Sequence, residues 1–326
     1  MKAIQISEFG TPWEMAKVVD VPEREPGPGE VAIAVEAAPI NPSDLLMMRG
    51  FYGVRPALPA VFGTEGVGRV TTVGEGVEHL KPGDRVLVPY ETAAYAERTV
   101  GPAAWLFPLP DDADVLQLAM LGVNPPTAYL MLKEYVALQP GEWVIQNAAN
   151  SGVGRAVIAI AKSIGLKSVN VVRREEALQD IEAAGGDIAL VDGPDLGRRV
   201  VAATGKAKIR LGLEAVGGAA TSSLMSALAP GATVVNYARL SAQPAHAPQP
   251  NIIFRDQSIR GFWLAPWFRR TKPERIASMY RELLPLLTSG AIRAPVERTF
   301  GLDGAAEALS LAARAKAKVL FMPRAA

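Results

Sequence analysis

Three short stretches carry residue types that could do chemistry. Met48 to Pro56, MRGFYGVRP, sets Tyr52 among glycines and arginines, where neither a strand nor a helix period runs. A phenol with an ordinary pKa of about 10 arrives protonated at neutral pH and could donate a proton. Equally, the ring could pack a glycine-flanked loop with its hydroxyl bonded locally. The residues alone leave both readings open. Residues 143–165, WVIQNAANSGVGRAVIAIAKSIG, run from an apolar strand through a small-residue turn into a helix. Amides at such a helix start, together with its dipole, suit a pyrophosphate, and small residues let the phosphate come close. In the third stretch, NVVRREE, a strand ends on Arg173 and Arg174.

The turn departs from the G-x-G-x-x-G frame of dinucleotide sites: it reads Ala149-x-Ser151-x-x-Gly154, keeping the third glycine and adding Gly152. Its context is stronger than the match. The next strand ends 19 residues beyond Gly154 (173 − 154), where an NAD site places an acid for the ribose hydroxyls. Two arginines there point instead to the 2′-phosphate of NADPH. The alternative is a pair of solvated arginines opening a surface helix, but positive charge at a helix N-terminus costs about 0.3 to 1 kcal/mol, which Glu175 and Glu176 offset only in part.

These groups need elements to hold them. The first hundred or so residues are short β-rich pieces (Val31 to Glu36, Val67 to Val73, Arg85 to Pro89) between Gly/Pro turns such as EREPGPGE and KPGD, the punctuation of a β-barrel-like module. From about Asp114 a helical stretch gives way to strand-helix alternation, which argues for βαβ units and a parallel sheet. The expected strands are Trp143 to Asn147, Ser168 to Arg173, Ile188 to Val191, Arg210 to Ala215, Ala232 to Tyr237 and Gln257 to Trp263. Helical patterns cover Gly154 to Ile164 and Ala219 to Leu228, and another opens at Pro273. The closing strands, around Val296 and from Lys318 to Met322, could extend the parallel sheet or return to the first domain. SAQPAHAPQP, residues 241–250, reads as a surface loop.

Composition narrows the function classes. Two domains fit 326 residues. With 34 Lys plus Arg against 33 Asp plus Glu, the net charge is +1 and no basic stripe marks a nucleic-acid partner. Cysteine is absent, and His79 and His246 are the two histidines, which leaves zinc short of ligands. No apolar run has the length of a membrane span, and MKAIQISEFG lacks a signal-peptide core, so a soluble, cytoplasmic protein is expected. Both histidines read as surface residues, and Asp44 reads as support for a helix start opened by Asn41 and Pro42.

INPSD followed by GFYG, GVNPPTAYLML, QNAANSGVG, NVVRREE and RGFWLAPWF together resemble the zinc-free medium-chain dehydrogenase/reductases, most closely the mitochondrial-type 2-enoyl thioester reductases, over essentially the whole chain. The resemblance implies an α/β chain with a GroES-like β-rich catalytic domain (residues 1–118 with 266–326) and a doubly wound Rossmann domain (119–265) that binds NADPH. Where zinc-dependent relatives place a Cys and a His, this chain has Asn41 and Thr64; near Val123 and Asn124 the third ligand is missing too. Tyr52 matches the proton-donating tyrosine, and Asn124 with Thr127 the segment at the nicotinamide end. Asn150, Ser151, Gly152, Val153 and Gly154 match the pyrophosphate turn, and Arg173 and Arg174 the 2′-phosphate site. Tyr237, Ala238, Arg239 and Leu240 match the strand-end loop along the cofactor. Phe262, Trp263, Leu264 and Ala265 match the nicotinamide and acyl pocket, and Lys318 a late cofactor-contacting lysine. Two departures, Ala238-Arg239-Leu240 for a Gly-Gly-Met-type stretch and a short YETAAYAERTV, leave carrier and chain length open.

The implied reaction is reduction of an enoyl thioester on coenzyme A or acyl carrier protein, with hydride to the β-carbon from NADPH and a proton to the α-carbon. A protonated phenol suffices for the second, and backbone or hydroxyl donors can meet charge on the thioester oxygen. GFWLAPWF fits core filling or an apolar acyl cleft equally. A quinone or small enone reductase is the alternative enzyme; a non-catalytic NADPH-binding protein is the alternative of another class, against which intact Tyr52 argues. Relatives are commonly dimers through the Rossmann sheet edge, so a homodimer is implied.

Overall fold

The computed structural model describes residues 1–90 and 92–323; Glu91, inside YETAAYAERTV, and residues 324–326 lie outside these. The chain divides into two compact units. One comprises Met1–Val123, Phe268–Thr288 and Ala294–Ala326; the other comprises Asn124–Trp267 with Ser289–Arg293. The expected divisions at 118/119 and 265/266 keep all of 266–326 with the first part, whereas Ser289–Arg293 cluster with the second unit.

In the second unit six strands form one parallel sheet: β1 (Trp143–Gln146), β2 (Lys167–Val172), β3 (Ile188–Val191), β4 (Leu211–Glu214), β5 (Thr233–Asn236) and β6 (Ser258–Gly261). They lie in the order β3-β2-β1-β4-β5-β6 and every pairing is parallel. Strand periodicity explains how the sheet buries both faces. Along β2, Val169 and Val171 pack with Leu196 and Val200 of helix Leu196–Ala203 and with Leu224 and Met225 of helix Ala219–Ser226. Val172 points the other way, to Ile158 of helix Gly152–Ser163 and Ile181 of helix Leu178–Ala183. Helices therefore cover both faces, and the strand order reverses between β1 and β4, where a doubly wound sheet opens a crevice at its carboxyl edge.

The first unit is built around Glu30–Pro39, a strand buried along nearly its whole length. It pairs antiparallel with Val67–Val73 and with Arg98–Pro102, and Val67–Val73 pairs with Arg85–Leu87. The closing strands return to this unit: Lys318–Phe321 lies antiparallel to the end of Glu30–Pro39, with Val296–Phe300 parallel beside it. Gln117 helps to hold that return, donating to the Ala294 carbonyl at 2.9 Å and accepting from its amide at 3.0 Å. A smaller antiparallel sheet joins Lys17–Asp20, Lys2–Ile6 and Ala60–Val61. Among the described residues no helix is long and apolar enough to cross a membrane.

Candidate active site

On the parallel sheet the turn after β1 is shaped for an anion. Ala148 takes a left-handed φ of 49°, a conformation costing about 1 kcal/mol or more in a residue with a side chain. The chain then re-enters helix at Gly152, with the Ser151 hydroxyl accepting from the Gly154 amide at 3.1 Å. Such a cap is worth about 1 kcal/mol. A Cβ on Gly154 would sit 2.3 Å from the Ala149 carbonyl oxygen, so only glycine lets the helix start so close to the strand end. The amides of Gly152 and Val153 have no acceptor within their own helix, which is the donor set a pyrophosphate takes. Asn150 is exposed at the tip. Beneath the turn, the buried Gln146 amide donates to the Gly154 carbonyl at 2.9 Å and to Asn170 Oδ1 at 2.8 Å, tying β1, β2 and the helix together.

Arg173 and Arg174 follow the last residue of β2 and are exposed; they precede a 3-10 turn, Glu175–Ala177, rather than opening an α-helix. No ion pair occupies either among the described residues. Two unpaired guanidinium groups at this strand end suit a phosphate monoester. After β5 come Tyr237, whose buried hydroxyl is raised in pKa by burial, then Ala238 and the exposed Arg239 and Leu240. Asn124 and Thr127 lie on the first turn of helix Asn124–Glu134, with Thr127 buried. Past β6, Phe262 packs edge-on against Tyr135 with ring centroids 6.4 Å apart, Trp263 is 37% exposed, and Leu264 and Ala265 are buried at the start of helix Leu264–Arg270. GFWLAPWF thus divides: Trp267 is buried, while Trp263 is partly exposed.

In the first unit Tyr52 is half-buried in an irregular loop after helix Pro42–Met48. The loop is anchored from both sides. Gly10 donates to the Met48 carbonyl at 3.2 Å and Phe51 to the Leu46 carbonyl at 2.9 Å. Arg49 lies 5.7 Å from the Trp13 ring centroid and Arg55 4.6 Å from that of Phe9.

The same unit holds a buried polar cluster that joins residues distant in sequence. Asp44 accepts from the Asn41 amide (2.8 Å), the Thr64 hydroxyl (2.8 Å) and the Tyr95 hydroxyl (2.9 Å), so it does support the helix start. Asn41 links onward, donating to Glu65 Oε1 at 2.7 Å and accepting from the Lys318 ammonium. Lys318 therefore spends its ammonium inside this unit, on Asn41 and beside two carboxylates. Burial lowers its pKa, and Glu65 and Asp44 oppose that shift. Burial pushes Asp44 up, and it pushes Glu65 up to about 7, against the pull of Lys318. Asn41 and Thr64, the positions where zinc-dependent relatives carry ligands, are thus occupied in a hydrogen-bonded network. Among the described residues no group of three or more His, Asp or Glu side chains could hold a metal ion, and both histidines are exposed.

Sequence reasoning passed over Glu65 and Glu214. Their signal was a lone acid in an apolar setting, GTEG and LGLEAVGG. Glu65 generates a pH dependence. The unfolded carboxyl titrates near 4.5 and the folded one at about 7. Its contribution to stability is therefore full below about pH 4.5 and is lost as pH rises through about 7, on the order of 3 kcal/mol in all. Urea midpoints measured from about pH 4 to pH 8 will show that fall superimposed on the other titrations. Glu65→Gln, which keeps the shape but not the proton, will flatten it; an unchanged slope would refute the assignment.

Comparison with known proteins agrees with this architecture. The alcohol dehydrogenase GroES-like domain matches residues 27–111, and the zinc-binding dehydrogenase family matches residues 152–288, although the chain has no cysteine. The mitochondrial enoyl-[acyl-carrier-protein] reductase of Mus musculus is 38% identical over 95% of this chain and 84% of its own length. Among solved structures, a Pseudomonas syringae quinone oxidoreductase superposes with a TM-score of 0.86 at 28% identity, covering 99% of both chains. A mycobacterial protein solved with NADPH gives 0.87 at 27% identity, over 99% of this chain and 100% of its own. With a GroES-like unit, a 3-2-1-4-5-6 parallel sheet and that degree of identity along most of its length, the chain belongs to the medium-chain dehydrogenase/reductases, in the family of the enoyl-[acyl-carrier-protein] reductases.

Proposed function

We propose that this chain reduces the 2,3 double bond of trans-2-enoyl thioesters with NADPH, the proton for the α-carbon coming from Tyr52. The observation that carries the reading is the 38% identity to an enoyl-[acyl-carrier-protein] reductase across 95% of the chain. Bound NADPH supplies a hydride for the β-carbon. The protein's own part is to hold and orient. The Gly152 and Val153 amides, with Asn150 and Ser151, take the pyrophosphate, and Arg173 and Arg174 take the 2′-phosphate. Tyr237 to Leu240, Asn124, Thr127 and Phe262 to Ala265 line the cofactor's path. In this reading the first unit is the catalytic domain and the second the cofactor domain, with Lys318 as the late cofactor-contacting lysine.

A homodimer belongs to the same proposal. Strand β6 pairs only with β5 among the described strands, and Ile253 (66% exposed) and Phe254 (81% exposed) lie just before it. An open strand edge beside exposed apolar side chains is a template for a second copy. The cytoplasmic location expected from the sequence stays with the proposal, although the similar reductases are mitochondrial by name.

NADPH oxidation followed with crotonyl-CoA and, separately, with a simple quinone decides the substrate class. The thioester is expected to turn over; turnover of the quinone alone would favour the oxidoreductase reading that the Pseudomonas structure represents. Tyr52→Phe is expected to lower kcat for crotonyl-CoA by about 100-fold or more, and unchanged turnover would remove Tyr52 from the mechanism. Arg173→Ala with Arg174→Ala is expected to raise KM for NADPH by about 100-fold or more, since charge-assisted hydrogen bonds are worth about 1.5 to 3 kcal/mol each. KM for NADH should hardly move, and an undiminished preference for NADPH would refute the phosphate assignment.

A further inference from the structure

Glu214, the last residue of β4, is fully buried, and among the described residues no lysine or arginine pairs with it. Its carboxylate is instead surrounded by N–H donors. Oε1 accepts from the amides of Val216 at 2.8 Å and Gly217 at 2.6 Å and from Asn147 Nδ2 at 3.1 Å; Oε2 accepts from Asn236 Nδ2. All four partners are donors, so the group must accept throughout, a role for which a carboxylate is suited and a neutral amide is not.

The donors come from three strand ends. Asn147 directly follows β1 and opens the turn that runs to Gly154; its own Oδ1 accepts from the Ala215 amide at 2.8 Å. Asn236 ends β5, opposite Glu214 in the register, and is followed by Tyr237 to Leu240. Val216 and Gly217 belong to the loop after β4, which passes the constraint on. The Ala215 and Val216 carbonyls accept from the amides of Leu240 and Ser241, each at 2.9 Å. Gly217, at a φ of +85°, comes so close to this segment that a Cβ would lie 2.3 Å from the Gln243 carbonyl oxygen. One buried carboxylate thus fastens both segments flanking the crevice at the β1/β4 reversal. Strand β2, which Arg173 and Arg174 directly follow, makes no hydrogen bond to Glu214.

We propose that Glu214 is a positioning residue that holds the pyrophosphate turn after β1 and the Tyr237–Leu240 loop in register for the pyrophosphate and nicotinamide half of the cofactor, while the 2′-phosphate end is held independently. The inference rests on the reading of this unit as an NADPH site.

The test compares two ligands on the full-length chain. NADPH engages the whole site; adenosine 2′-monophosphate carries the 2′-phosphate but neither pyrophosphate nor nicotinamide. Glu214→Gln, which keeps one acceptor but turns an NH2 group toward Asn236 Nδ2, itself a donor, is expected to weaken NADPH at least 10-fold while the affinity for adenosine 2′-monophosphate stays within about twofold. KM for NADPH should rise in parallel. Where that variant does not fold, Asn236→Ala, which removes one donor and leaves the carboxylate, should show the same split at smaller amplitude. Equal weakening of both ligands would reduce Glu214 to general stability, and no weakening of either would remove it from the site; each overturns the proposal. Failure of the unsubstituted chain to bind NADPH would instead overturn the reading on which it rests.

Discussion

The close approach of Gly154 to the Ala149 carbonyl is the constraint on which the parallel-sheet unit depends. A helix can present its first amides to a ligand at the carboxyl edge of a sheet only if it starts almost in contact with the strand that feeds it. Any side chain at position 154 would push the two apart. The remainder of the turn follows from this contact. Ala148 accepts a left-handed backbone so that the chain can reverse, Ser151 closes the helix start, and Gln146 pins the Gly154 carbonyl from below. The apolar clusters on the two sheet faces provide the driving force, and these few polar contacts decide where the amides point.

Buried charge is handled by different means in the two units. At Glu214 only N–H groups face a carboxylate, and the result is a fixed acceptor. Around Asn41 two carboxylates and an ammonium share a network in which burial works against every charged form, and Asn41 relays between cation and anion. Neither arrangement is a cheap source of stability, because desolvation takes back much of what each contact returns. Their value lies in geometry. Asn41, Thr64 and Lys318 come from a helix cap, a turn and the last strand, and the network holds them in one place within the first unit.

Much of this was legible in the sequence because parallel strands buried on both faces read as continuous apolar runs. SVNVV, IALV and ATVVN could be placed to within a residue or two, and strand-helix alternation then gave the sheet. The small-residue turn after β1 and the two arginines were visible for the same reason, since each sits at the end of such a run. The destination of the closing strands was not. VERTF buries only Phe300 and leaves Glu297 and Arg298 exposed in succession, so no clean period marks its partner, and its neighbours, Lys318–Phe321 and through it Glu30–Pro39, lie far from it in sequence or need the fold to be seen. Glu65, Glu214 and the contacts of Lys318 were hidden likewise, because a charge becomes informative only once its burial is known. Tyr52 stands between these cases: the loop was visible, but its anchoring by Phe9 and Trp13 required the fold.

Delivery of hydride to the β-carbon of an enoyl thioester and of a proton to its α-carbon can be read from isotope placement. Crotonyl-CoA would be reduced once with NADPH deuterated at the transferring position of the nicotinamide and once with ordinary NADPH in deuterated water, and the products read by NMR. Butyryl-CoA carrying cofactor deuterium at C3 and solvent deuterium at C2 is expected. Cofactor deuterium at C2, or oxidation of NADPH with no saturated thioester formed, would contradict that delivery.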